Sequence, residues 1–190
     1  MRPLGQPAGK GESVLIQGTG GVSISGLQIA KASGMEVIIT SSSDAKLAQA
    51  KSLGADHTIN YRTHPTWSEE VTKITQGHGV SNIFENGGAL TLRQSFDAIA
   101  FGRLINCIGH LSGKEDGGSD RTNTNVLALR RNVTLKGIVN GPRGRFEEML
   151  GWYEEKGIRP VVDRVFGFEE AKEGLEYLFK GAFWEGCGEG

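Results

Sequence analysis

The run Gly18-Thr19-Gly20-Gly21-Val22-Ser23 is the part of this chain best suited to chemistry. It follows the apolar stretch Val14-Leu15-Ile16 and precedes an amphipathic segment reaching Lys31. That is the strand–turn–helix order of a dinucleotide phosphate site. The first glycine permits a sharp exit from the strand, and the second lets backbone come close to a diphosphate. The helix behind them aims unpaired N–H groups and its positive dipole end at the phosphates. Position 23 holds serine where the G-x-G-x-x-G pattern has its third glycine. Gly26 lies three residues on, on nearly the same helix face, and can supply the close helix–strand approach instead. A glycine turn that binds nothing has the same local sequence, so the surrounding strand–helix alternation has to decide.

The next question is which dinucleotide. An NAD site places Asp or Glu about 20 residues further on, at the end of the second strand. Here that region reads Thr40-Ser41-Ser42-Ser43, without a carboxylate. Its hydroxyls can donate to a 2′-phosphate. Lys46 falls in the first turn of the following helix, where a cation opposes the dipole unless an anion is held there. The alternative reading has Lys46 in water, offset by Asp44. Asn60-Tyr61-Arg62 follows the third strand and can close the same pocket, or Tyr61 can serve packing alone. The balance favours NADP(H) over NAD(H).

Periodicity supplies the elements that must position these residues. Strands are expected at 13–17, 37–40, 57–60, 82–85, 104–108 and 133–139, with a last short one at 158–161. Helices are expected at 22–33, 44–53 (capped by Ser43), 67–75, 90–100, 126–131, 145–156 and 169–180. Residues 112–125 read as a polar loop. The alternation predicts an α/β fold with a doubly wound, mostly parallel sheet between two helical layers, the Rossmann arrangement. The expected organisation is an extension at 1–10, one domain at 11–181 and a flexible tail at 182–190.

Composition narrows the class. The 190 residues carry a net charge of −1, which gives no pull toward nucleic acid or anionic lipid. No apolar run approaches the roughly 20 residues of a membrane span. Met1 to Gly11 lacks the apolar core of a signal peptide. The 2 cysteines, Cys107 and Cys187, lack metal or disulfide spacing, and the 4 histidines form no ligand pair. The expectation is a cytoplasmic protein without zinc, nucleic-acid partner or membrane association.

The segments from Gln17 to Ser23, Thr40 to Leu47 and Leu53-Gly54-Ala55-Asp56-His57-Thr58-Ile59-Asn60-Tyr61-Arg62 resemble the medium-chain dehydrogenase/reductase superfamily. The nearest branch is the zinc-independent, quinone-oxidoreductase-like relatives of alcohol dehydrogenases. The resemblance runs from about Gly11 to Gly181. It implies an NADPH-binding Rossmann domain in which Gly20, Gly21 and Val22 meet the pyrophosphate, with Gly18 and Thr19 in the same turn. Ser42, Lys46 and Tyr61 match positions that hold the 2′-phosphate. Asn86-Gly87, Ile108-Gly109 and Val139-Asn140 match strand ends bordering ribose and nicotinamide. Members also carry an N-terminal GroES-like domain with most catalytic residues and any catalytic zinc. Only Met1–Lys10 precede the first strand here, so a stand-alone or truncated domain is expected. Relatives pair by joining sheet edges, which implies a homodimer, or another partner covering the exposed cleft face.

Hydride transfer also needs a proton source. His110 is the best-placed titratable group near the expected nicotinamide end, although a hydrogen-bonded loop histidine is the simpler reading. Glu85 and Arg143 can bind a ligand or cap local structure. No catalytic residue is assigned. The expected function is NADP(H)-dependent reduction of a carbonyl or activated alkene in a small molecule. The alternative is a repurposed domain that acts without redox chemistry, as an isomerase, cyclase or lyase, or only binds.

Overall fold

Ser13–Gln17 has the apolar, β-branched content of a strand covered on both faces, and it forms β1 at the centre of the sheet. The computed structural model describes residues 11–115 and 123–180, so the expectations for 1–10, 182–190 and part of the 112–125 loop lie outside it. The chain continues through α1 (Gly21–Ala32), β2 (Glu36–Ser41), α2 (Asp44–Ser52), β3 (His57–Asn60) and α3 (Trp67–Ile74). It then forms β4 (Val80–Glu85), α4 (Leu92–Ala98), β5 (Ile99–Cys107), α5 (Thr124–Arg131), β6 (Thr134–Gly137) and α6 (Arg143–Lys156). The 6 strands pair in parallel in the order β3-β2-β1-β4-β5-β6. This is the Rossmann order, and it reverses direction between β1 and β4. Ligands of such sheets bind outside the carboxyl ends of the strands at that switch point.

The core gathers on the sheet. Leu15, Ile38, Ile83, Ile99 and Ile105 pack with Trp67 and Val71 of α3 and Phe96 of α4. Residues one position along each strand face the other way, and Ile16 meets α1 at Gly26. Among the described residues, no helix is long and apolar enough to cross a membrane.

Several boundaries differ from the sequence expectation. The helix expected through residue 100 stops at Ala98, because Ile99 pairs with Val80 and starts β5. The ladder then shifts register before Asn82 pairs with Leu104. The strand expected at 133–139 is only Thr134–Gly137. The strand expected at 158–161 does not form. Gly157 ends α6 in the left-handed region (φ 64°), and the Ile158 N–H turns back to the Tyr153 carbonyl at 2.9 Å. The last helix opens with a 3-10 turn at Phe168–Glu170 and continues as α7 (Ala171–Phe179).

The chain divides after Ile158 into two compact units. In the second, the Arg164 guanidinium lies over the Phe166 ring at 4.7 Å and the Tyr177 hydroxyl donates to Asp163 at 2.5 Å.

Candidate functional site: the switch point between β1 and β4

The glycine turn after β1 leaves the strand sharply. Gly18 takes φ +80°, which a side chain would resist. Gly20 caps α1 in an extended conformation, no side chain caps the first turn, and no acidic residue stands in it. Gly21 is exposed, and a Cβ added there would meet nothing within 4 Å. The first turn of α1 thus has room beside Gly21 and neither a side-chain cap nor a carboxylate, which suits a diphosphate. Thr19 is buried, its hydroxyl 3.2 Å from that of Ser41, so its side chain ties the turn to β2 and leaves only backbone for a ligand.

Ser23 fits at the missing glycine because its hydroxyl is used. It donates to the Gln17 carbonyl at 2.8 Å and accepts from Asn86 Nδ2 at 3.2 Å. Close helix–strand packing falls to Gly26, as expected. A Cβ there would sit 2.7 Å from Phe84 Cε2.

The ends of β2 and β3 lie side by side. Ser41 pairs with Asn60, and the Tyr61 N–H donates to the Ser41 carbonyl at 3.0 Å. Ser43 caps α2 by accepting from the Lys46 N–H at 3.4 Å, which places Lys46 in the first turn. Asn60 donates to the Asp44 carboxylate at 2.7 Å. Ser42, Lys46 and Tyr61 therefore belong to adjoining strand and helix ends beside the phosphate turn.

A cleft of about 410 Å³ opens over these strand ends. Gln17, Gly18 and Asn86 line it beside Tyr61, Trp67, Leu90 and Leu111. The apolar members give a flat group something to pack against. Beneath it, Glu85 is 1% exposed and accepts from Gln17 Nε2 at 2.7 Å, from the Gly88 N–H at 2.9 Å and from the hydroxyls of Thr91 and Ser95. Of the two roles open to Glu85, this is the structural one. The β5 exit is stitched alongside, with the N–H groups of Ile108 and Gly109 donating to the Glu85 carbonyl at 2.9 and 3.2 Å. A Cβ on Gly109 would lie 2.7 Å from the Asn86 carbonyl oxygen.

Gly18, Tyr61, Asn86 and Gly87 thus line one cleft, with Ile108 and Gly109 bonded to its rim. Val139 and Asn140 lie past the end of β6, both exposed, and neither lines this cleft. His110 lines a separate recess of about 360 Å³ with Arg93 and Lys114. Arg143 pairs with Glu147 at 2.7 Å on the surface of α6. The sequence reading passed over Trp67, Thr91 and Gln94 in the cleft wall. Thr91 falls in the first turn of the helix expected at 90–100, although a threonine three residues after a Gly-Gly pair is also a turn signal. Cys107 pairs with Glu85 across the β4–β5 ladder. Burial, and then the Glu85 carboxylate, push its thiol above the ordinary range and leave it a poor nucleophile near neutral pH.

Sheet order, glycine turn and cleft define a Rossmann domain. The sequence pattern of zinc-binding dehydrogenases matches residues 21–155, and the chain belongs to that family. It is 42% identical to a zinc-type alcohol dehydrogenase-like protein of Schizosaccharomyces pombe, over 90% of this chain and 49% of that one. Prostaglandin reductase-3 of Mus musculus is 31% identical over 90% of this chain and 50% of its own. A crystal structure of a Sinorhizobium meliloti 1021 protein, described as an alcohol dehydrogenase, superposes with a TM-score of 0.82 at 41% identity. That match covers 92% of this chain and 50% of the other. The chain spans about half the length of the curated relatives it matches. It is an oxidoreductase-type domain, and its family points to a pyridine nucleotide as cofactor.

The family's description also invokes zinc. Among the described residues no group of three or more His, Cys, Asp or Glu side chains is placed to hold a metal ion. These residues do not fit one.

Proposed function

We propose that this domain binds NADP(H) in preference to NAD(H) and serves the reduction of a carbonyl or activated alkene in a small organic molecule. The observation carrying nucleotide binding is the uncapped, acid-free N-terminus of α1 behind left-handed Gly18 at the switch point, and the end of β2 without a carboxylate, with Lys46 in the first turn of α2, supports NADP(H) over NAD(H). The residues present fit the group. Gly20, Gly21 and Val22 would meet the diphosphate, Ser42, Lys46 and Tyr61 the 2′-phosphate, and Asn86, Gly87, Ile108 and Gly109 the sugar and ring beyond. A bound nicotinamide supplies the hydride. The chain's own part is to hold that ring against the substrate and exclude water. The resemblance to a reductase and to alcohol dehydrogenase-like proteins supports the reaction class.

Calorimetric titration with NADPH and NADH tests the cofactor. NADPH is expected to bind more tightly, and Lys46→Ala to cost it roughly tenfold in Kd, the loss of one charge-assisted phosphate contact. NADH affinity should stay within about twofold. Equal binding of both coenzymes, unchanged by Lys46→Ala, rejects the NADP(H) preference. Binding of neither rejects the reading as a whole.

A reading without redox chemistry is favoured by one feature: His110 lies outside the cleft, so the cleft gains no imidazole proton donor from it. Tight coenzyme binding with no oxidation of NADPH across a panel of enones and aldehydes would support it. For partners, the proposal is a second copy of this chain joined along β6, the last strand of the sheet, in a cytoplasmic setting. Sedimentation equilibrium giving a monomer at micromolar concentration would reject it.

A further inference from the structure

Gln17 and Glu85 end β1 and β4 on either side of the switch point, 6% and 1% exposed. A carboxylate survives such burial only when donors meet both its oxygens. Here Oε1 accepts from the N–H groups of Gly87 at 3.1 Å and Gly88 at 2.9 Å and from the Thr91 hydroxyl. Oε2 accepts from Gln17 Nε2 at 2.7 Å and from the Ser95 hydroxyl. Because a carboxylate only accepts, it also decides which way the Gln17 amide faces. With Nε2 committed to Glu85, Oε1 turns to the N–H groups of Asn86 and Gly87 at 3.1 and 3.0 Å.

An apolar pair at 17 and 85 would join the two strands at less cost. It could not hold the turn between β4 and α4, whose residues Asn86, Gly87 and Thr91 line the cleft together with Gln17. We infer that Glu85 is a positioning residue for coenzyme binding. Directly, and through the orientation it imposes on Gln17, its carboxylate fixes the β4–α4 turn in the one conformation the nucleotide accepts. The inference rests on the nucleotide reading proposed above.

The test compares wild type with Glu85→Gln, Thr91→Val, Thr91→Ser and the core control Ile99→Ala, at the far end of β5. Two quantities are read: the Kd for NADPH, and amide hydrogen exchange at residues 86–88 without ligand. Glu85→Gln turns an amide NH₂ toward donors, and Thr91→Val deletes one donor. Both should weaken NADPH on the order of tenfold and speed exchange in the turn. Thr91→Ser should keep wild-type values. Ile99→Ala should lower Tm yet leave both quantities unmoved. If Glu85→Gln does not fold, the two Thr91 variants carry the comparison. Unchanged affinity in folded Glu85→Gln or Thr91→Val overturns the inference and leaves the nucleotide reading standing. So does an equal loss in Ile99→Ala, which would mark a purely structural role. A wild-type protein that binds neither NADPH nor NADH overturns the nucleotide reading and the inference together.

Discussion

On β1 and β2, Val14, Leu15, Ile16, Val37, Ile38 and Ile39 are each 1% exposed or less, whereas β6 buries none of its residues. The contrast extends to the helices. Ile24, Leu27 and Ala30 of α1 are buried, but α5 has no buried residue and α6 only Tyr153. Leu129, Val139 and Phe146 stand 80%, 97% and 56% exposed. The half of the sheet that carries the phosphate turn is stabilised by its own core. The β6 side contributes only partly buried residues to that core, among them Leu127, Ala128 and Leu135. Polar burial adds a second contrast. Gln17, Thr19, Ser23, Thr40, Ser41, Glu85 and Asn86 are all buried, and all lie at or just past the carboxyl ends of β1, β2 and β4. Elsewhere in those strands the buried side chains are apolar. Buried polarity is costly unless paired, so within these three strands its restriction to the carboxyl ends suits a site there, with Ser68, Ser95 and Asn106 buried on α3, α4 and β5.

The largest expected effect tests the contrast between the two halves. Ile38→Ala should lower the unfolding free energy by about 2–5 kcal/mol, the cost of a cavity in a close-packed interior. Leu129→Ala should change it by no more than about 0.5 kcal/mol, as for an exposed position. Urea unfolding of both variants measures this. A Leu129→Ala cost above about 1.5 kcal/mol would break the contrast by showing that the α5 face around Leu129, away from the β6 edge, is covered in solution.

That division also explains what was legible in the sequence. β1 begins and ends where periodicity places it, because an apolar run bounded by turn residues leaves no competing register, and β3, with Ile59 alone buried, keeps its expected bounds as well. The Ser43 cap of α2 was readable for the same local reason. Boundaries failed where long-range pairing decides. Ile99 and Ala100 continue a helical pattern, yet pairing with Val80 recruits them to β5. The exposed β6 side offers weak alternation, so its strand was overextended to Val139, and a strand was expected after Gly157 where the chain instead closes α6. In the site, glycines announced the turn, since positive φ and close approach demand that residue. The Gln17–Glu85 pairing was invisible, because its partners lie 68 residues apart and no spacing in the sequence links them.

Within the well-packed half, two glycines of the same helix should behave in opposite ways. Gly26→Ala forces a methyl to 2.7 Å from the Phe84 ring, and the overpacking should cost about 1–2 kcal/mol after the helix-propensity gain of alanine is set against it. Phe84→Leu in the same chain should recover part of that loss, since the two sites touch. Gly21→Ala meets empty space and should leave stability within about 0.5 kcal/mol, while weakening NADPH through its intrusion on the diphosphate. Thermal unfolding and coenzyme titration of the same variants separate these outcomes. Large destabilisation by Gly21→Ala would mean that its open space is structural rather than ligand-binding.

Ser23→Ala comes next. The Gln17 carbonyl and Asn86 Nδ2 keep each other as partners at 2.8 Å, so only the serine's own hydrogen bonds are lost. The expected cost is about 1 kcal/mol. Ser23→Gly, which restores the usual third glycine, should cost somewhat more, because it also loosens α1. A stabilised Ser23→Gly would show that the hydroxyl is tolerated rather than used.

The smallest effect lies at the opposite end of the sheet, where no ligand is expected. Asp56 accepts from Lys31 Nζ at 2.8 Å and from the Val37 N–H at 2.7 Å, tying α1 to the start of β2. Burial alone would raise its pKa, but the Lys31 ammonium and the Val37 N–H outweigh that and hold the carboxyl below the usual 3.8. A carboxylate depressed in the folded state contributes stability above its unfolded pKa and loses it as pH falls through the folded value. Lys31 and Asp56 are each about one-third exposed, so solvent screening limits the pair to a few tenths of a kcal/mol up to about 1 kcal/mol. Asp56→Asn keeps an acceptor for Val37 and removes only the charge. Its deficit against wild type should shrink as the pH falls below about 4. Coenzyme affinity should not change at any of these pH values. A shift in NADPH affinity on Asp56→Asn would show that the two ends of the sheet are coupled through α1, whose other end carries the phosphate turn.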